Sequence, residues 1–171
     1  MKKIKEILLL LVCLPTLLIG QTTSESAFER NTISIGLVAS DLEESLKFYT
    51  EIVGLVETGG FSIDEAFGKS SGLTGGTPFD VKILKLEDDP SASELKIVTF
   101  NNEKNMSEQH IQERNGMRYM TIFVKSLEPV IARITENNIP MLGDTPIKIG
   151  DGRGFVLVQD PDGVFVELIG H

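Results

Sequence analysis

Glu167 is the residue in this sequence whose type and setting most demand chemistry. It stands inside the apolar run Val164 to Ile169, with Phe165 and Ile169 on its own face of a strand and Val166 and Leu168 on the other. Burying a carboxylate there without a partner costs several kcal/mol or shifts its pKa. Its partner is therefore the functional question. Tyr119, in the β-rich run Met117 to Val124, can serve as a general acid or orient a ligand carbonyl. A strand tyrosine can equally well pack with its hydroxyl satisfied. Arg153 lies among glycines in Gly150 to Gly154 and can approach an anionic ligand, or can sit in a plain hairpin turn. Phe61, Phe67 and Phe79 surround the stretch Ser62 to Pro78, which reads as a long loop. That loop is either a lid with aromatic walls or a segment folded on a dimer partner. Asp80, Lys82 and Lys85 read as a solvated face, and His110 as exposed and inert. The sequence has no phosphate-cradling loop before a helix, no zinc-type cysteine pattern and no nucleophile elbow.

The elements that must position these residues repeat. Ile33 to Ala39 is a strand, and Ser40-Asp41 caps a helix whose apolar face is Leu42, Leu46, Tyr49, Ile52 and Val53. Gly54 ends it, and strands follow at Leu55 to Phe61, Phe79 to Leu86 and Glu94 to Phe100. The order returns in the second half. Met117 to Val124 is a strand, Ser126 caps a helix carrying Leu127, Val130, Ile131 and Ile134, and Asn137-Asn138 closes it. Strands are expected around Pro140 to Leu142 and Ile147 to Ile149, then a hairpin of Phe155 to Val158 and Val164 to Ile169 about Asp160-Pro161-Asp162-Gly163. The fold class is α+β: two βαβββ units, residues 32–100 and 117–170, joined by the connector 101–116. Together they form a cupped, half-open mixed β-barrel with helices outside and a pocket within.

The chain begins with MKKIKEILLLLVCLPTLLIG, three lysines before an apolar run too short for a comfortable span. Residues 1–20 read as a signal peptide and 21–31 as a polar lead-in to a single domain, 32–171. Cys13 is preceded by Val12 where a lipoprotein signal wants a small residue, so no stable membrane anchor is expected. The protein should be exported, to the periplasm or outside the cell. Cleavage would remove three lysines, one glutamate and the sole cysteine, taking the formal charge from −9 to −11. Such acidity, without a basic cluster, argues against nucleic acid as a partner.

The runs ISIGLVASDLEESLKFYTEIVGL, YMTIFVKSLEPVIARI and FVLVQDPDGVFVELIG resemble the vicinal-oxygen-chelate superfamily of glyoxalase I, bleomycin-resistance proteins, methylmalonyl-CoA epimerase and extradiol dioxygenases. The resemblance implies four metal positions, one on the first and one on the last strand of each unit. They fall on Ser34, Lys96, Tyr119 and Glu167. A hydroxyl, an ammonium and a phenol are poor ligands for a divalent ion. No metal or other cofactor is therefore expected, with Lys96 in the lost cation's place pairing with Glu167, while Ser34 and Tyr119 complete the network. Alternatively Lys96 points outward. If the strand slips by two residues, Glu94 joins Glu167 and Tyr119 around magnesium or manganese.

The resemblance thus implies a bleomycin-resistance-like protein that binds a small molecule above Ser34, Lys96, Tyr119 and Glu167, between walls formed by Phe61, Phe67 and Phe79, with Arg153 near an anionic group. It also implies a homodimer. The alternative is a metal-dependent lyase, isomerase or epimerase resembling glyoxalase I, in which Glu167 is ligand or base and Tyr119 a catalytic acid.

Overall fold

The computed structural model describes residues 26–106 and 108–171. The signal peptide expected at 1–20, with Cys13, and the start of the lead-in lie outside the described residues. The architecture is α+β, as expected from the pattern. Two mixed four-stranded sheets cup without closing into a barrel. In the first, β1 (Ser34–Ala39), β4 (Glu94–Thr99), β3 (Phe79–Lys85) and β2 (Val56–Ile63) lie in that order. In the second the order is β5 (Tyr119–Phe123), β8 (Phe165–Gly170), β7 (Gly154–Gln159) and β6 (Ile147–Lys148). Each first strand runs parallel to the last strand of its unit, and the remaining neighbours are antiparallel.

Strand alternation decides which face each residue takes. Leu37, Ala39, Leu95, Ile97, Val156, Val158, Val166 and Leu168 turn to the convex sides and join one core with Phe48, Tyr49, Ile52, Val130 and Ile134. The two units therefore meet through their convex, helix-bearing faces. α1 (Leu42–Lys47) starts where the Asp41 carboxylate accepts the Glu44 N–H at 3.0 Å. It widens into a π-helical stretch, Phe48–Val53, which turns Phe48, Tyr49, Ile52 and Val53 inward and ends at Gly54, φ 104°.

Three expectations about elements are corrected. Ser62 to Pro78 is not an unbroken loop. It contains α2 (Glu65–Ser70), started by Asp64, whose carboxylate accepts the Phe67 N–H at 2.7 Å. Ser126 does not cap α3 (Glu128–Glu136). Instead the Leu127 N–H donates to the His171 carbonyl at 2.8 Å, and a proline in the first turn needs no partner for a missing N–H. Pro140 to Leu142 is not a strand, since there only the Leu142 N–H reaches β7, at Leu157 O, 2.8 Å.

The hairpin turn 160–163 holds the units together. Asp160 accepts from the Tyr49 hydroxyl at 2.8 Å, and both oxygens of Asp162 lie 3.1–3.2 Å from the Ser40 N–H. Burial first, then the Asp160 charge, pushes the Tyr49 phenol well above its ordinary value. The sign follows by linkage: stability from the neutral phenol is complete below the unfolded value and is lost as pH rises above it toward the folded one. Above about pH 10, wild-type stability should fall more steeply than that of Tyr49→Phe, measured by urea unfolding at stepped pH. Parallel alkaline limbs would refute the assignment.

Candidate functional site

The concave face of the first sheet holds a cavity of about 500 Å³. Its floor is Gly36, Lys96 and Val98, its walls include Phe61 and Phe79, and Phe67 of α2 with Leu73 forms a roof. The three phenylalanines expected around the site are thus together, brought there by β2, β3 and the unforeseen helix. At the polar end the Ser34 hydroxyl donates to Glu94 Oε2 at 2.8 Å. Lys96 Nζ lies 3.4 Å from the same oxygen and Lys85 Nζ 3.8 Å from Oε1. The Ser34 hydroxyl first, with Lys96 and Lys85 adding to it, holds the Glu94 carboxyl below its ordinary value against some desolvation. Lys96 Nζ also stands 5.8 Å from the Phe61 ring centroid.

Lys96 does not pair with Glu167 within the chain. Glu167 accepts instead from the Thr121 hydroxyl at 2.5 Å, and no hydrogen bond or ion pair joins Ser34 or Lys96 to Tyr119 or Glu167 among the described residues. The reason is the packing just described. Units joined through convex faces leave each cup to open separately, and the cavity above Lys96 is lined by the first unit alone. Tyr119 is 49 % exposed. The Arg153 Nε donates to Asp151 at 2.6 Å, its guanidinium lies 5.4 Å from the Phe123 ring centroid, and it lines none of that cavity. His110 is exposed, at the rim of a separate hollow over the second unit with Leu157 and Gln159.

Register clarifies the choice between Glu94 and Lys96. Ser34 lies opposite Glu94 and Gly36 opposite Lys96, while Tyr119 lies opposite Phe165 and Thr121 opposite Glu167. If Ser34 corresponds to Tyr119, then Lys96 corresponds to Glu167. No slip is needed to bring in Glu94, because residues two apart share a face and both Glu94 and Lys96 point into the cup. Sequence reasoning passed over Gly36, although a glycine inside the apolar run Ile33 to Ala39 signals a close approach or a deliberate space. Because Glu94 keeps Ser34 and Lys85, Lys96→Met should lower stability by less than about 1 kcal/mol. A shift in the denaturation midpoint worth several times that would require a buried partner for Lys96.

The donors do not gather as the resemblance requires of a metal centre. Among the described residues no three histidine, cysteine or carboxylate side chains converge. Glu94 and Glu167 lie in different cups, each already engaged, and the hydroxyl and ammonium beside Glu94 do not complete a divalent-ion site.

Two βαβββ units with this strand order and two concave faces now permit comparison with known proteins. The model of the Glyoxalase/Bleomycin resistance protein/Dioxygenase superfamily matches residues 32–168. The chain belongs to that superfamily. Solved structures of the superfamily's fold include a glyoxalase family protein of Bacillus cereus, with a TM-score of 0.67 at 15 % identity, covering 86 % of this chain and 97 % of that one. A glyoxalase/dioxygenase of Nostoc punctiforme gives 0.55 at 18 %, covering 80 % and 88 %, and glyoxalase I of Leishmania major gives 0.53 at 19 %, covering 82 % and 86 %. At such identities the likeness is one of fold. No curated protein matches the chain by sequence. In this chain Ser34 and Tyr119 lie on the first strands of their units and Lys96 and Glu167 on the last.

Proposed function

We propose that this superfamily member binds a small, largely apolar molecule in the cup of its first unit and needs no resident metal to do so. The observation that carries this reading is the roofed cavity itself, with phenylalanines on three sides and a glycine in its floor. A cavity of about 500 Å³ falls within the range used by small-molecule sites. A Cβ added at Gly36 meets nothing within 4 Å, and its φ is not in the left-handed region, so the fold itself does not call for glycine there.

The reading extends to an exported homodimer. β1 and β5 are the outer strands of their sheets, and Val38, Tyr119 and Phe123 beside the cups are each about half exposed or more. A second copy of the chain is the occupant that would cover such edges. No helix among the described residues is long and apolar enough to cross a membrane.

The test uses neutral 2-naphthylmethanol and isothermal titration calorimetry on the full chain. One site per chain is expected, abolished by Gly36→Leu with the melting temperature unchanged. Binding that survives that substitution would remove the cup from consideration. Elemental analysis of the same preparation should find no stoichiometric divalent ion. One tightly bound ion per chain would overturn the metal-free reading and favour a metal-dependent lyase, isomerase or epimerase.

A further inference from the structure

The floor of the first cup and the equivalent floor of the second are built from the same pair of positions and are filled in opposite ways. In the second unit Thr121 stands opposite Glu167 and donates its hydroxyl to the carboxylate, so the charge on the last strand is satisfied by the first strand. In the first unit the corresponding residues are Gly36 and Lys96. The charge has changed sign, and the neighbour that would answer it has no side chain. The space beside the Lys96 stem is left open, and it belongs to the cavity.

Building on the proposed binding role of this cup, we infer that its ligand is a compact apolar molecule with a single anionic group, a carboxylate or sulfonate, which docks on Lys96 over Gly36. The charges at this corner support an anion. Glu94 Oε2 is already held by the Ser34 hydroxyl at 2.8 Å and lies farther, 3.4 Å, from the Lys96 ammonium, so Lys96 is not fully engaged by its carboxylate neighbour. Lys85 is largely enclosed and donates to the Asp89 carbonyl at 3.1 Å, whereas Lys96 is one-third exposed and lines the cavity. The available ammonium is therefore that of Lys96. The Phe61 ring beneath it carries no hydrogen-bond acceptor, so a donor of Lys96 remains for a ligand oxygen. The rest of the cavity, from Val98 to Phe79 and the Phe67 roof, offers apolar surface to the body of the molecule. A cationic ligand would meet the like charge of Lys96 at the floor of an otherwise apolar cavity and should bind least well.

The experiment titrates the full chain with three probes of one shape: 2-naphthoate, 2-naphthylmethanol and 2-naphthylmethylamine, at neutral pH, by calorimetry. The anion should bind about tenfold or more tightly than the alcohol, as one charge-assisted hydrogen bond would give, and the amine more weakly than both. Lys96→Met should reduce the naphthoate affinity to that of the alcohol, and Lys96→Arg should keep the preference. Equal affinities for anion and alcohol, or a preference that survives Lys96→Met, would overturn the inference while leaving the cup as a binding site. Failure of all three probes to bind, or their binding unchanged by Gly36→Leu, would overturn both the inference and the binding role beneath it.

Discussion

Replacing Asp160 by alanine should destabilise the protein by about 3–5 kcal/mol, because it strands several buried donors together. One carboxylate oxygen accepts the Tyr49 hydroxyl at 2.8 Å, and the other accepts the N–H groups of Asp162 at 2.9 Å and Val164 at 2.8 Å. Asp160 is 5 % exposed and Tyr49 is fully buried, so water does not readily replace the lost acceptor. Each orphaned donor costs about 1–3 kcal/mol. The carboxyl itself is pushed above its ordinary value, with desolvation outweighing the three donors that pull it down. The folded form therefore takes up a proton more readily than the unfolded one, and this group's contribution improves as pH falls through that range. Asp160→Asn retains one acceptor oxygen and should cost about half as much as the alanine substitution. Urea unfolding with an unchanged slope and a lowered midpoint would give both values. A loss below about 1 kcal/mol for Asp160→Ala would mean that the turn is open to water and does not clamp the units together.

How far the sequence disclosed this arrangement depends on the distance over which each signal acts. Asp160-Pro161-Asp162-Gly163 between two apolar runs is a complete local instruction, and the hairpin stands where it predicts. The capped start at Asp41 and the stop at Gly54 are likewise local. α2 was hidden because Asp64, a sound N-cap, is followed by a helix with Gly68 inside it, within a stretch whose glycines read as loop. Ser126 has the right residue type for a cap, but the cap position falls one residue later, on Leu127, and Pro129 has no N–H for a serine at 126 to accept from.

The least legible step was the partner of Glu167. The resemblance implied related positions for Glu167, Lys96, Ser34 and Tyr119 in their units, and the observed register is compatible with that correspondence. It could not tell whether related positions would meet. That outcome rests on Phe48 and Tyr49 packing with residues such as Val156 and Leu168 from the other unit, contacts far apart in the chain with no local signature. Thr121, two residues after Tyr119, answered Glu167 from its own sheet instead.

The second large effect separates two glycines that the sequence presents alike. Gly60→Ala should cost about 2–3 kcal/mol, since a Cβ there would lie 2.3 Å from the Val81 carbonyl oxygen, a backbone atom in the neighbouring strand. Relief requires β2 to move off β3. That would carry Phe61, which pairs with Val81, away from the cavity, so affinity for 2-naphthylmethanol should fall along with the melting temperature. Gly36 is the opposite case: its added side chain enters open space, and binding should be lost while stability is kept. Measuring melting temperature and affinity for both variants tests the geometry of the cup from two directions. If Gly60→Ala melts with the parent, the close approach of β2 to β3 is wrong, and the wall formed by Phe61 must be drawn elsewhere. If Gly36→Leu unfolds the protein, the floor is already packed and the cavity above Lys96 does not exist as described.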